Sequence, residues 1–178
     1  MSTATITRTD RSHDFTPANA GRELCLRSFR AKDGREVLRF YRHGLLAGVP
    51  DPLDLATDFD GVEDVYLKRS KDHFWVAKVK GHVVASIAIT ADDRQVGHIR
   101  RLRADTAWKI WSDGEVAAVQ IAKATHHARQ HDCLKPVLHE PVNDGWAIAL
   151  LHQLGFEYAR ARKQSGRPLL EFYLDLYV

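Results

Sequence analysis

Sulphur is scarce in this chain, which has two cysteines, Cys25 and Cys133, and one methionine among 178 residues. The cysteines lie far apart and form no CxxC pair. That pattern excludes a disulfide framework and a thiolate zinc cluster, and it fits a reducing compartment, the cytoplasm. An excess of one charge sign is also missing. The 26 basic and 23 acidic residues leave a formal net charge of +3, less than the concentrated basic face of a nucleic-acid binder. No apolar run approaches the roughly 18 residues that a membrane helix needs. The opening MSTATITRTDRSHDFTPANAG holds no apolar signal-peptide core. It is rich in Thr, Ser, Asp and Arg, so residues 1–22 read as a flexible, dispensable tail. Internal repeats and low-complexity linkers are absent after it. What is present is ordinary globular material, 44% hydrophobic and 28% charged, enough for one domain, 23–178, and too short for two.

Periodicity orders that material. Leu24 to Phe29 alternates weakly and predicts a first strand. Lys32 to Gly48 carries Val37, Leu38, Phe40, Tyr41, Leu45 and Leu46 at helical spacing. Gly48, Pro50 and Pro52 break it, and Leu53 to Lys68 predicts a second helix or helical turn. The period then changes. HFWVAKVK and HVVASIAIT are apolar and β-branched around Gly81, the pattern of a hairpin. VGHIRRLRA predicts another strand and Gly114 to Gln130 a helix, with Val116, Val119, Ala122, Lys123 and His126 along one side. KPVLHE is a short strand, Asp144 to Leu154 a helix stopped by Gly155, and FEYARAR and LLEFYLDL two closing strands. The strand–helix–strand unit from Val96 to His139 requires a parallel pairing. The expected architecture is α/β: a mixed, mostly antiparallel, twisted sheet of roughly six to seven strands with about four helices.

Three segments carry a resemblance. FWVAKVKGHVVASIAIT is similar to a hairpin phrase of the type FWVAE-x-DGxVVG. IRRLRADTAW is similar to a strand written LRRLRV-x-P-x-W. NDGWAIALLHQLGFEY is similar to N-x-x-A-I-x-L-Y-x-x-x-G-F, with Ala147, Ile148, Leu150, Gly155 and Phe156 in place. All three belong to the GNAT superfamily of acetyl-CoA-dependent N-acetyltransferases, and the chain resembles it from Leu24 onward. The resemblance implies that backbone groups of Leu102, Arg103 and Ala104 pair with the pantetheine amides of acetyl-CoA, as an added strand would. It also implies that the pyrophosphate rests on the first N–H groups of the next helix, at Gly114, Glu115, Val116 and Ala117, where the helix dipole favours an anion.

The sequence departs from the family at three points. The loop Q/R-x-x-G-x-G/A is replaced by SDGEVA: Ser112 stands for the Arg or Gln and Glu115 for the central Gly. Asp113 and Glu115 bring negative charge to an anion's position, though Asp113 or Ser112 also suits a helix cap. Leu151 occupies the place of the Tyr that protonates the leaving thiolate. His152, its neighbour, is turned by about 100° on an ideal helix and is a candidate acid only if the helix is shifted. Asp144 stands in the slot of the family's Asn, with Asn143 one residue before it as the candidate cofactor contact.

Other groups are open to two readings. His127 and His131 are four apart and could share a helix face, beside His126. Two histidines need a third ligand for zinc, and no HExxH occurs, so no metal is expected. Arg100, Arg101 and Arg103 either pair with carboxylates or hold phosphates or an acidic acceptor. Strict alternation puts Arg101 and Arg103 on one face and Arg100 on the other. Asp51, Asp54, Asp58, Asp60, Glu63 and Asp64 form either a solvated face or a lure for an amine. His139 and Glu140 end the strand beside the cofactor strand, and either could serve as a general base through water.

The leading expectation is therefore an enzyme that moves an acetyl group from acetyl-CoA directly to a small-molecule or peptide primary amine. It would act without metal, nucleic acid or membrane, and a homodimer is compatible with the sequence. The alternative is a non-catalytic sensor or partner-binding module of the same fold.

Overall fold

The computed structural model describes residues 24–43, 57–104, 115–142, 145–164 and 166–177. The tail, the segment with Gly48, Asp51 and Asp54, the loop with Ser112, Asp113 and Gly114, and Asn143 with Asp144 lie outside them.

Apolar alternation turns into strands and 3.6-residue periodicity into helices along the chain. β1 (Leu24–Ser28) is followed by a 3-10 turn (Ala31–Asp33) and α1 (Gly34–His43). A second 3-10 turn (Thr57–Gly61) runs into α2 (Val62–Tyr66). Then come β2 (His73–Val79), β3 (His82–Ala91), β4 (Val96–Ala104), α3 (Glu115–Gln130), β5 (Lys135–Pro141), α4 (Gly145–Gln153), β6 (Glu157–Gln164) and β7 (Arg167–Tyr173). The strands make one sheet in the order β1-β2-β3-β4-β5-β7-β6. Every pairing is antiparallel except β4 with β5, the one joined through a helix.

The β2–β3 hairpin shows why the sequence folds as it does. Its turn is two residues, Lys80 and Gly81, with φ of 50° and 85°. Both are positive, as a turn that matches the strand twist requires. Gly81 takes that conformation without cost and Lys80 does not. Two cores flank the sheet. Phe29, Val37, Val62, Tyr66, Phe74, Val76, Val83 and Ala88 pack on the face of α1 and α2. Phe74 anchors them edge-on to Phe29 and Tyr66, each with ring centroids 5.4 Å away, contacts worth about 0.5–1.5 kcal/mol apiece beyond burial. On the other face Ile87, Ile89, Ile99, Val116, Ile121, Leu151, Phe156 and Phe172 form the larger core with α3 and α4.

The structure sharpens three of these elements. The helix expected over Lys32–Gly48 opens with a 3-10 turn, and its described part is Gly34–His43. The acidic helix is a 3-10 turn and a single α turn, broken at Gly61, whose φ of −143° is not helical. In α3 the buried residues are Val116, Ala117, Gln120, Ile121, Ala124 and Ala128. Ala122 and His126 are exposed, because the small alanines, not the histidine side, let the helix approach the sheet.

Candidate active-site cleft

The site begins where two parallel strands part. β4 and β5 pair only at Val96 with Lys135, Gly97 with Pro136 and His98 with Val137. Beyond these, β4 continues to Ala104 against β3, and β5 continues to Pro141 against β7. The ladder between them has ended, so the backbone of β4 past Ile99 faces a gap.

A bulge in β4 shapes that gap. Ala88 opposes Arg100 and Ser86 opposes Arg103, so Ile87 alone spans Arg101 and Leu102. Arg101 absorbs the extra residue with φ of 56°, a conformation a non-glycine residue rarely adopts. Its carbonyl accepts a hydrogen bond from Ser86 Oγ at 2.9 Å. Its guanidinium grips Asp58 twice, Nε to Oδ2 at 2.8 Å and Nη2 to Oδ1 at 2.5 Å, and lies 5.1 Å over the Phe59 ring. The Tyr66 hydroxyl also donates to Asp58. Burial and then that carboxylate hold the Tyr66 hydroxyl protonated well above its ordinary range. The bulge overturns the strict alternation expected for the arginines. Ile99 and Leu102, three apart, both pack into the larger core, while Arg101 is held on the α2 side.

A cleft of about 290 Å³, counting the part open to solvent, fills the gap on the α3–α4 face. Leu102 comes from β4, Ala117 and Ile121 from α3, Glu140 from β5, and Trp146, Ala147, Leu150 and Leu151 from α4. The i, i+3, i+4 spacing of Ala147, Leu150 and Leu151 puts one helix stripe on the cleft. Of the candidate loop, Ala117 lines the cleft, Val116 is in the core, and Glu115 is exposed at the first position of α3. The lining is apolar apart from Glu140, and it lies beside β4 where the ladder to β5 has ended. These features fit a pantetheine arm.

The structure separates the three catalytic candidates. Glu140 is buried and lines the cleft. His152 does not: it is exposed, with its ring 5.5 Å from Phe172, and Leu151 takes the cleft-facing place. His139 lies on the opposite face of the sheet from Glu140, as neighbours in a strand must. Its Nε2 is 3.1 Å from Glu171 Oε2. Burial lowers the pKa of His139, and the bond to Glu171 only partly offsets this, which favours the neutral ring. Burial alone would raise Glu171. The bonds from His139 and Arg160, with the charges of Arg162 and Arg160, outweigh it and keep the carboxyl below its usual range. A carboxylate only accepts, so Nε2 carries the proton and Nδ1 is the basic nitrogen.

Glu171 was not among the residues singled out by sequence. Its signal was a lone carboxylate between Leu170 and Phe172 in an apolar strand. Trp146 was also missed. His127 and His131 do stack, with centroids 4.2 Å apart, but among the described residues no group of three His, Cys, Asp or Glu side chains could hold a metal ion. No described helix is long and apolar enough to cross a membrane.

No family model and no curated protein matches this sequence. Solved structures do. An acetyltransferase of GNAT family from Staphylococcus aureus superposes with a TM-score of 0.68 at 14% identity, covering 86% of this chain and 99% of its own. The yncA protein of Salmonella typhimurium, solved with its cofactor acetyl-CoA, gives 0.70 at 19% identity over 86% and 94%. The ribosomal-protein-S18-alanine N-acetyltransferase of Escherichia coli gives 0.67 at 12% over 87% and 95%. With its parted β4 and β5, bulged β4 and helix-lined cleft, the chain has the fold of the GNAT-family acetyltransferases.

Proposed function

We propose that this chain is an N-acyltransferase that moves an acetyl group from acetyl-CoA directly to a primary amine of a small molecule or peptide. The observation that carries this reading is the ladder ending at His98 and Val137, with an apolar cleft directly beside the released backbone. Bound there, acetyl-CoA supplies an activated thioester. Backbone groups from Leu102 to Ala104 would align its arm as an added strand does, and a strand N–H would polarise the carbonyl. The first N–H groups of α3, at Glu115, Val116 and Ala117, would meet the pyrophosphate. Gly114 and Asn143 extend that contact in the proposal. The amine nitrogen attacks the carbonyl carbon, the C–S bond breaks, and the nitrogen's proton passes through water to Nδ1 of His139. Glu140 is the second candidate for that proton, from the cleft side. His152 has no part in this scheme. The two free cysteines, one exposed and one buried, suit a reducing cytoplasm.

Two observations favour a second reading, a non-catalytic binding module: the carboxylate of Glu115 at the start of α3 and Leu151 in the cleft. One measurement separates the readings. A ligand of the native state raises its melting temperature, by about 2.7 kcal/mol of stability at a hundredfold excess over Kd. Acetyl-CoA at millimolar concentration is expected to raise the midpoint by several degrees, and no shift would leave the second reading standing.

A further inference from the structure

We infer that the acceptor amine carries a carboxylate, as a free amino acid does, and that Arg100, Arg160 and Arg162 read it. This rests on the proposed acyltransferase reading and names its substrate class.

The residues concerned share one face of the sheet. Ile99 belongs to the α3–α4 core, so His98 and Arg100 point to the other face. His98 is level with Val137, which brings His139 to that face too, and Arg100 and His139 each lie two residues further on, across the gap where the pairing has ended. Across the next strands, His139 opposes Glu171 and Glu171 opposes Arg160. Arg162 is two residues further along the same strand face. A row therefore runs from Arg100 at the parting of β4 and β5, through the proposed base, to two arginines of β6.

Its charge is unbalanced. Glu171 accepts from Arg160 Nε at 2.9 Å through one oxygen, and from Arg162 Nε at 2.5 Å and His139 at 3.1 Å through the other. Two guanidiniums hold ten donor hydrogens between their nitrogens, far more than two carboxylate oxygens can accept. Both side chains remain about half exposed, at 60% and 47%. Arg100 is exposed and, among the described residues, has no hydrogen bond or ion pair. Three guanidiniums against the one carboxylate of Glu171 leave a net positive row.

The other carboxylates on this side are mostly engaged. Glu157, opposite Tyr173, accepts from its hydroxyl at 2.7 Å. Asp58 is held by Arg101 and Tyr66. Asp92 sits with His98 at 3.2 Å. Glu36 accepts the Val83 N–H at 2.8 Å. On α2, Val62 and Tyr66 face the core while Glu63 and Asp64 are exposed, with Asp64 paired to Lys68. Of the described part of the acidic run, Asp60 and Glu63 stay exposed on α2 and the turn before it. A bare polyamine would meet repulsion at the arginine row. A carboxylate a few bonds from the reacting nitrogen would meet bidentate guanidinium recognition.

The test measures acetyl-CoA-dependent release of free thiol with paired acceptors: L-glutamate and L-aspartate, their methyl esters, phosphoethanolamine and spermidine. The free acids are expected to exceed their esters in kcat/KM by roughly 10- to 100-fold, mainly through KM. In Arg100→Gln and Arg162→Gln that acid-to-ester ratio should fall toward one. A preference for esters, spermidine or phosphoethanolamine would overturn the proposal. So would variants that lower acids and esters equally, or a protein whose melting point rises with acetyl-CoA while no amino acid is acetylated. Absence of any acetyl-CoA shift would instead sink the acyltransferase reading beneath it.

Discussion

Leu151 is 2% exposed and lines the cleft at the position where the related helix motif carries a Tyr. An apolar side chain there can neither donate a proton nor titrate, so departure of the thiolate must proceed without an acid from α4. Leu151→Tyr supplies one. The added ring costs about 1–3 kcal/mol of packing strain, which the open side of the cleft reduces. The variant is expected to raise kcat with acetyl-CoA and to introduce a falling alkaline limb near the tyrosine pKa of about 10. Leu151→Phe, equal in bulk without the hydroxyl, should show neither change. A matching gain in Leu151→Phe would mean that packing rather than proton donation was responsible. On the acid side, His139 is held below the ordinary histidine value of about 6.5. The rate should therefore rise with pH and complete that step before neutrality, unless Glu140 rather than His139 takes the proton.

At the scale of elements, the bulge of β4 decides which side chains reach the cleft. The pair Arg101–Asp58 holds it, with both side chains only 15% and 16% exposed. Removing one partner of such a pair leaves the other charge stranded and costs about 3–5 kcal/mol when fully buried. For Arg101→Ala, with its slight exposure, a loss of about 2–3 kcal/mol is expected by urea unfolding, together with weaker acetyl-CoA binding as Leu102 drifts. Arg101→Gly relieves the positive φ yet loses the grip, so it should be destabilised less than Arg101→Ala. Equal stability of all three proteins would show that Asp58 does not clamp the strand. This bulge also marks the limit of what the sequence made legible. The hairpin, the parallel crossover and the glycine after α4 could be read because periodicity and turn residues are local signals. The strand IRRLRA could be recognised as a strand. It could not give the faces of Arg101 and Leu102, because the extra residue is fixed by Ser86 and Asp58, far away in the chain. Glu171 escaped notice for the same reason, since its meaning comes from His139 on one neighbouring strand and Arg160 on the other.

For the molecule as a whole, α3 ties the sheet together at two ends, and the end away from the cleft is built from imidazoles. His73 stacks on Trp75 at 4.5 Å and meets His127 at 5.3 Å, and His127 lies 5.1 Å from Trp75 and 4.2 Å from His131. Ser28 Oγ and His73 Nε2 are 2.7 Å apart, so β1, β2 and α3 meet in one aromatic seam. Burial, then the charges of His131 and His73, push His127 down to about 4. Burial, then Lys123 and His131, also lowers His73. In an unfolded chain these rings titrate near 6.5. Between pH 6.5 and 4 the unfolded state therefore binds more protons than the folded one, and stability must rise with pH across that window. The contribution is complete above about pH 6.5 and is lost as the pH falls toward 4. His127 Nε2 is buried without a hydrogen-bond partner among the described residues, so a phenyl ring gives up only the ring's hydrogen bond with the Lys71 backbone. His127→Phe should match the parent melting temperature at pH 7.5 within a few degrees. On acidification the parent should then lose ground to the variant steadily from about pH 6.5 down to 4. Carboxylate titration, common to both proteins, cancels in the difference. Parallel melting curves for the two proteins over that range would show that the seam is not what acid breaks first.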